Sequence, residues 1–271
     1  MPADIGSIVA DLRAEHAELD AVLAGLPDQD WDLPTLAEPW SVRDQVSHLS
    51  FFDDRAALSA TDPEAFTADL ARLLEDVEAY MNRPLEEGRR RTPAAVLAGW
   101  RTERDRLCDA LLGVDPRARL PWYGPAMSVA SFATARLMET WAHGQDVVDA
   151  LGVQRGPTAR LRHVAHIAVK ARPFNYVSNN LSLPEAAVHL ALSAPGGETW
   201  TWEDPALPDR ITGSALDFCL VATQRRHLDD TTLEVSGPLA REWIGIAQAF
   251  AGPPGPGRRP GQVATRGVTA G

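Results

Sequence analysis

Four segments within the first 155 residues repeat apolar side chains at the period of an α-helix, and each is bounded by capping or breaking residues. The first, "DIGSIVADLRAEHAELDAVLAGLP", lines up Ile5, Ile8, Val9, Leu12, Leu19, Val22, Leu23 and Leu26 and stops at Gly25 and Pro27. In the second, "WSVRDQVSHLSFFDDRAALSA", Ser41 is a candidate N-cap with Asp44 three residues on, and "DPEAFTADLARLLEDVEAYMNR" extends the helical region. The third, "TPAAVLAGWRTERDRLCDALLGV", opens on Thr92 with Pro93 at the first helical position and closes at Gly113. The fourth runs from about Ser128 to Leu151 and ends at Gly152, which suits a left-handed C-terminal cap. Long amphipathic helices with short or moderate connections bury their stripes against one another, so residues 1–155 are expected to form a helix bundle.

From Gly156 the pattern changes. One more helical stretch, "TARLRHVAHIAVKARPFNYVSNN", is followed by alternating segments "AVHLALSA", "ETWTWED" and "TTLEVSG", which read as strands. "SALDFCLVATQRRH" and "PLAREWIGIAQAFAG" have helical spacing. The expectation is a smaller α+β domain over 156–252, followed by a Pro/Gly-rich tail, 253–271, without an apolar period and therefore disordered.

A net charge of -11, from 26 basic and 37 acidic residues, argues against nucleic acid, whose phosphates call for a basic face. The one Arg-dense run, "EEGRRRTP", reads as a solvated loop. No apolar run is long enough to span a bilayer and no secretory leader is evident, so no membrane partner and a cytoplasmic location are expected. Cys108 and Cys219 lie far apart without a CxxC partner and read as buried free thiols.

The fourth helix raises the functional question, because "ARLMETWAHGQDVVDALG" carries Glu139, His143 and Asp146 on one side. Glu139 and His143 are four apart, hence one turn above each other, and together can chelate a cation. A third ligand must come from another helix. The second helix offers His48, with Asp44 one turn before and Phe52 one turn after it, an inward-looking face. Buried unpaired, these three groups are costly; one divalent cation satisfies all of them and keeps open coordination positions, the mark of a catalytic metal. Zinc suits two imidazoles and a carboxylate best, and iron and nickel accept the same set. Asp44 and Asp146 are candidates to hold a ligand imidazole by its other N–H, or else surface carboxylates.

"WSVRDQVSHL" followed by "ARLMETWAHGQDVVDALG" resembles the two metal motifs of the DinB-like bundle proteins, specifically the mycothiol-dependent maleylpyruvate isomerase family of actinobacteria. The resemblance covers almost the whole chain. It implies a fold of class α plus α+β, a DinB-like four-helix bundle followed by a smaller α+β domain. It also implies metal ligation by His48, Glu139 and His143. The helix "GSALDFCLVATQRR" is similar to one that carries a catalytic arginine in the family, which places that role at Arg225. Arg225 and Arg226 are equally readable as cations at a helix C-terminus.

In the resembled isomerase the thiolate of mycothiol adds to an activated double bond, the adduct rotates and the thiol leaves. The resemblance thus implies an isomerase or thiol transferase acting on a small electrophilic or unsaturated molecule, with mycothiol as cosubstrate. The loop "RLPWYGPAMS" sets Trp122, Tyr123 and Met127 near the ligand helix, an apolar rim that suggests a larger or more hydrophobic substrate, with Tyr123 as a hydrogen-bond donor. Trp40, Trp100 and Trp141 read as bundle core, and His16, flanked by Glu15 and Glu18, as a surface residue. His163, His166, His189 and His227 form no chelate by spacing. Two other readings stay open: a metal-dependent hydrolase, lyase or cyclase that uses no thiol, and a non-catalytic metal-stabilised binding protein. Monomer and homodimer are both compatible with the sequence.

Overall fold

Capping side chains set where the helices of the first unit begin. In the computed structural model, which describes residues 4–263, Asp4 accepts from the N–H groups of Gly6 and Ser7 to start α1 (Ile5–Leu23). Ser41 and Asp44 form a reciprocal capping box at the start of α2 (Val42–Thr61). Thr92 caps α5 (Pro93–Gly113), and Ser128 caps α6 (Val129–Leu151), which ends on Gly152 at φ 66°. The segment after α2 breaks in two, because Asp62 and Asp76 each accept a backbone N–H and so start α3 (Pro63–Glu75) and α4 (Val77–Arg89).

Cross-helix pairs give the directions. Arg13 meets Asp109 and Asp20 meets Arg101, so α1 and α5 are antiparallel. Gln45 meets His143 and Asp53 meets Arg136, so α2 and α6 are antiparallel too. Leu19, Leu23, Val42, Val46, Leu49, Val96, Trp100, Val147 and Leu151 gather with Trp31 in one buried cluster. That cluster joins the C-terminal ends of α1 and α6 to the N-terminal ends of α2 and α5. The bundle therefore runs up, down, down, up, and α3 with α4 provides the return between the two parallel helices. A two-stranded ribbon, β1 (Arg119–Leu120) and β2 (Met127–Ser128), leads into α6.

The chain divides into two compact units, with the boundary after Gln154. The second unit opens with α7 (Leu161–Lys170) and α8 (Arg172–Ser178), which divide one expected helix where Pro173 starts a new turn. Its sheet has the order β4-β3-β5-β6, from β3 (His189–Ser193), β4 (Thr199–Trp202), β5 (Arg210–Ser214) and β6 (Glu234–Ser236). β3 and β5 are parallel and the other pairs antiparallel. Helices α9 (Ala215–Ala222) and α10 (Pro238–Ile246) complete it, with Phe218 and Trp243 among the fully buried side chains. Buried Asn175 ties the far end together, donating to the Gln248 carbonyl at 2.7 Å and accepting from Trp243 Nε1 at 3.3 Å. The mixture of a helix bundle with a small α+β part is the expected fold class.

Of the tail, residues 253–263 are irregular, and the Gly261 N–H donates to the Asp230 carboxylate at 2.9 Å; 264–271 lie outside the described residues. Cys108 and Cys219 are buried and free, as expected. Among the described residues no helix is long and apolar enough to cross a membrane. The Arg-dense run is not simply a solvated loop. Its first half ends α4, and Arg89 grips the buried Asp44 carboxylate with Nε and Nη2, both at 2.9 Å.

Candidate metal centre

Antiparallel packing of α2 on α6 brings the second and third turns of one helix against the middle of the other. There His48, Glu139 and His143 each offer a ligand atom, all within 4.8 Å of one another. His143 Nε2 lies 3.2 Å from Glu139 Oε2. Zinc bonds of about 2.0–2.1 Å in tetrahedral geometry set ligand atoms about 3.3 Å apart, so this pair already stands at chelating distance. His143 is buried, while His48 and Glu139 are half-buried, which leaves the centre reachable from one side. The donor chemistry and spacing fit a divalent cation.

His143 is held from behind. Its Nδ1 meets Gln45 Oε1 at 2.6 Å, and Gln45 Nε2 donates to Thr35 Oγ1 at 2.9 Å. Nothing in the sequence pattern marks Gln45 and Thr35 for this task, although Gln45 precedes His48 by three residues and therefore shares its helix face. Asp44, a candidate for the same task, is spent instead on the capping box and on Arg89. Asp146 is fully buried rather than a surface carboxylate.

Aromatic rings wall the site. Trp40, expected in the bundle core, is half-buried and faces the ligands: its ring lies 4.8 Å from His48 and 5.9 Å from His143, nearly parallel to the latter at 15°. On the other side Phe52 packs 4.6 Å from His48 and continues into Trp122 and Tyr123. Trp100 and Trp141 are buried, as expected. Trp100 Nε1 also donates to Asp53, which shares a fully buried ion pair with Arg136.

Tyr123 sits in the expected aromatic group, stacked edge-on against Phe66 and Trp122. Its hydroxyl is 2.9 Å from that of Tyr80, whose own proton goes to Asp69. Tyr80 therefore has only its oxygen to offer, and Tyr123 is the donor between them. Burial first, and then the Tyr80 bond, push the Tyr123 phenol far above its ordinary pKa. Its proton is committed within the wall.

Arg225 belongs to the second unit, just beyond α9. Its backbone N–H closes on the Leu220 carbonyl at 2.7 Å, its Nη1 donates to the Thr223 carbonyl at 2.6 Å, and its guanidinium lies over the Phe250 ring. Cations there complement the helix C-terminus. His16 departs from expectation: it is 2% exposed, with its ring edge-on to Trp100 and its Nδ1 4.0 Å from Cys108 Sγ. Burial, assisted by Arg104, Arg136 and Arg13, lowers its pKa to about 3.

A bundle with two imidazoles and a carboxylate converging from facing helices defines a DinB-like protein with a candidate metal centre. Residues 12–148 match the family described as the mycothiol maleylpyruvate isomerase N-terminal domain, and the chain belongs to that family. Proteins from two strains of Mycobacterium tuberculosis, both described as uncharacterized, are 45% identical over 94% of this chain and 100% of their own length. The fold is similar to that in crystal structures of mycothiol-dependent maleylpyruvate isomerase and of a histidine-to-alanine mutant of it. Each has a TM-score of 0.58 and 15% identity, over 86% of this chain and 93% of theirs.

Proposed function

We propose that this chain is a mycothiol-dependent isomerase or thiol transferase in which His48, Glu139 and His143 hold one divalent cation, zinc by donor preference. The observation that carries the reading is the convergence of three ligand atoms within 4.8 Å beside an aromatic wall. Bound there, such a cation draws the pKa of a thiol or water toward neutrality.

The chain's own residues supply the rest. Glu139 and the two imidazoles leave one side of the centre open for the thiol, while Trp40 and Phe52 flank His48 as an aromatic wall. A thiolate adds to one carbon of an activated double bond, the resulting single bond rotates, and expulsion of the same thiol restores the double bond with the thiol unchanged. The aromatic group around Phe66, Trp122 and Tyr123 suits a substrate with an apolar portion, and Tyr123 serves it as a wall. Arg225 takes the role of a bidentate carboxylate grip on the strength of the family resemblance. Mycothiol as cosubstrate agrees with a cytoplasmic setting.

Elemental analysis of protein purified without added metal, beside His48→Ala, tests the centre. One equivalent in the wild type and a loss of about tenfold or more in the variant are expected; equal contents remove His48 from the site. Turnover of candidate electrophiles with and without mycothiol tests the reaction, and rates indifferent to the thiol overturn that part.

A further inference from the structure

The loop before α2 and the buried amide on its first turn fix which nitrogen of His143 faces the other ligands. Thr35 has one hydroxyl proton, and it goes to the Trp40 carbonyl, 2.8 Å away, which can only accept. The Thr35 oxygen must then accept, and it does so from the Ala37 N–H at 3.3 Å and from Gln45 Nε2 at 2.9 Å. With its NH2 committed to Thr35, Gln45 turns its carbonyl oxygen to His143 Nδ1, 2.6 Å away. Only a proton on Nδ1 makes that contact favourable. In neutral imidazole the lone pair then stands on Nε2, on the side of Glu139. Gln45 is fully buried and Thr35 4% exposed, so water does not compete for these groups.

We propose that Thr35 and Gln45 are positioning residues, a one-way hydrogen-bond relay that holds His143 in its Nδ1–H form with Nε2 offered to the cation. The same relay fixes the turn that carries Trp40, since the Trp40 carbonyl receives both the hydroxyl and the N–H of Thr35, the latter also at 2.8 Å. The consequence for metal affinity rests on the reading above; the tautomer does not.

The tautomer is read first, on the full chain freed of metal by a chelator, at pH 8, by long-range proton–nitrogen NMR of the histidine side chains. A proton on Nδ1 of His143 is expected, whatever Nε2 carries beside the Glu139 carboxylate; an Nδ1 without a proton overturns the relay. Affinity for Zn²⁺ alone is then measured by chelator competition. Gln45→Met keeps the volume and loses the acceptor, and a 10- to 100-fold weaker affinity is expected, the usual effect of removing a partner behind a ligand. Gln45→Glu keeps an acceptor for Nδ1–H. The Thr35 hydroxyl can turn to it because the Trp40 carbonyl retains the Thr35 N–H, so an affinity within about threefold of wild type is expected. Thr35→Val frees the amide to turn over, giving both tautomers in the spectrum and an intermediate loss.

Wild-type affinity in Gln45→Met, or equal losses in Gln45→Met and Gln45→Glu, overturns the proposal. Should Gln45→Met fail to fold by circular dichroism, Thr35→Val and Gln45→Glu decide it. A wild type that binds no Zn²⁺ overturns the metal reading, while the tautomer spectrum still decides the relay.

Discussion

His16 shows how burial converts one side chain into a pH-dependent element of stability. Its Nε2 has no hydrogen-bond partner and three arginines lie in its field, so the folded protein keeps the ring neutral down to about pH 3 against 6.5 for the free side chain. The sign follows from proton counts: as pH falls below about 6.5 the unfolded chain takes up a proton that the folded chain refuses. His16 therefore adds no pH-dependent cost above that pH and a growing one between it and about 3. Comparing the wild type with His16→Met in urea, both freed of metal, the difference in unfolding free energy should be constant from pH 7 to 8. It should then shift against the wild type by up to about 1.4 kcal/mol per pH unit from 6 to 5. A flat difference across both ranges means that His16 is hydrated rather than buried.

Between elements, α4 comes close to α2 at Gly88. A Cβ added at Gly88 would meet Ser47 Oγ at 2.0 Å and its Cβ at 2.8 Å, and the Ser47 hydroxyl is held by the Arg43 carbonyl at 2.8 Å. Helix propensity alone favours Gly88→Ala by about 1 kcal/mol. Overpacking of this kind costs about 1–3 kcal/mol, so the contact should win and the variant be less stable in chemical denaturation. Adding Ser47→Gly should restore part of the loss, and purely additive effects would show that the helices do not touch there. This close approach also places Arg89 on Asp44, a charge pair that spacing along the chain does not reveal. Caps are a different matter, because their physics is local: Ser41 with Asp44, Thr92 with Pro93, and Gly152 mark helix ends within a few residues of sequence. β5 was not legible for the opposite reason. "RITGS" is short and contains glycine, and it is a strand because the distant β3 pairs with it in parallel.

At the scale of the molecule, the same division between local and distant causes separates what could be read of the site from what could not. Glu139 and His143 are readable as a candidate chelating pair from helix geometry alone, and an inward face marked His48. Gln45, Thr35 and Trp40 acquire their places only through the register of α2 on α6, and His16 is buried although Glu15 and Glu18 flank it. The proposed roles fall on both units, ligands in the first and Arg225 in the second, so metal binding and turnover should separate by mutation. A cation that binds only the folded state at 100 times its Kd stabilises by about 2.7 kcal/mol. Zn²⁺ added to the metal-free protein should therefore raise its first thermal transition, and His48→Ala should abolish that rise. Arg225→Ala should keep the full rise while losing turnover of a carboxylate-bearing substrate at saturating mycothiol, with the loss mostly in KM if the guanidinium serves only to grip the carboxylate. An Arg225→Ala protein that loses the Zn²⁺ shift as well would return Arg225 to a structural role, bonded to Thr223 and laid over Phe250.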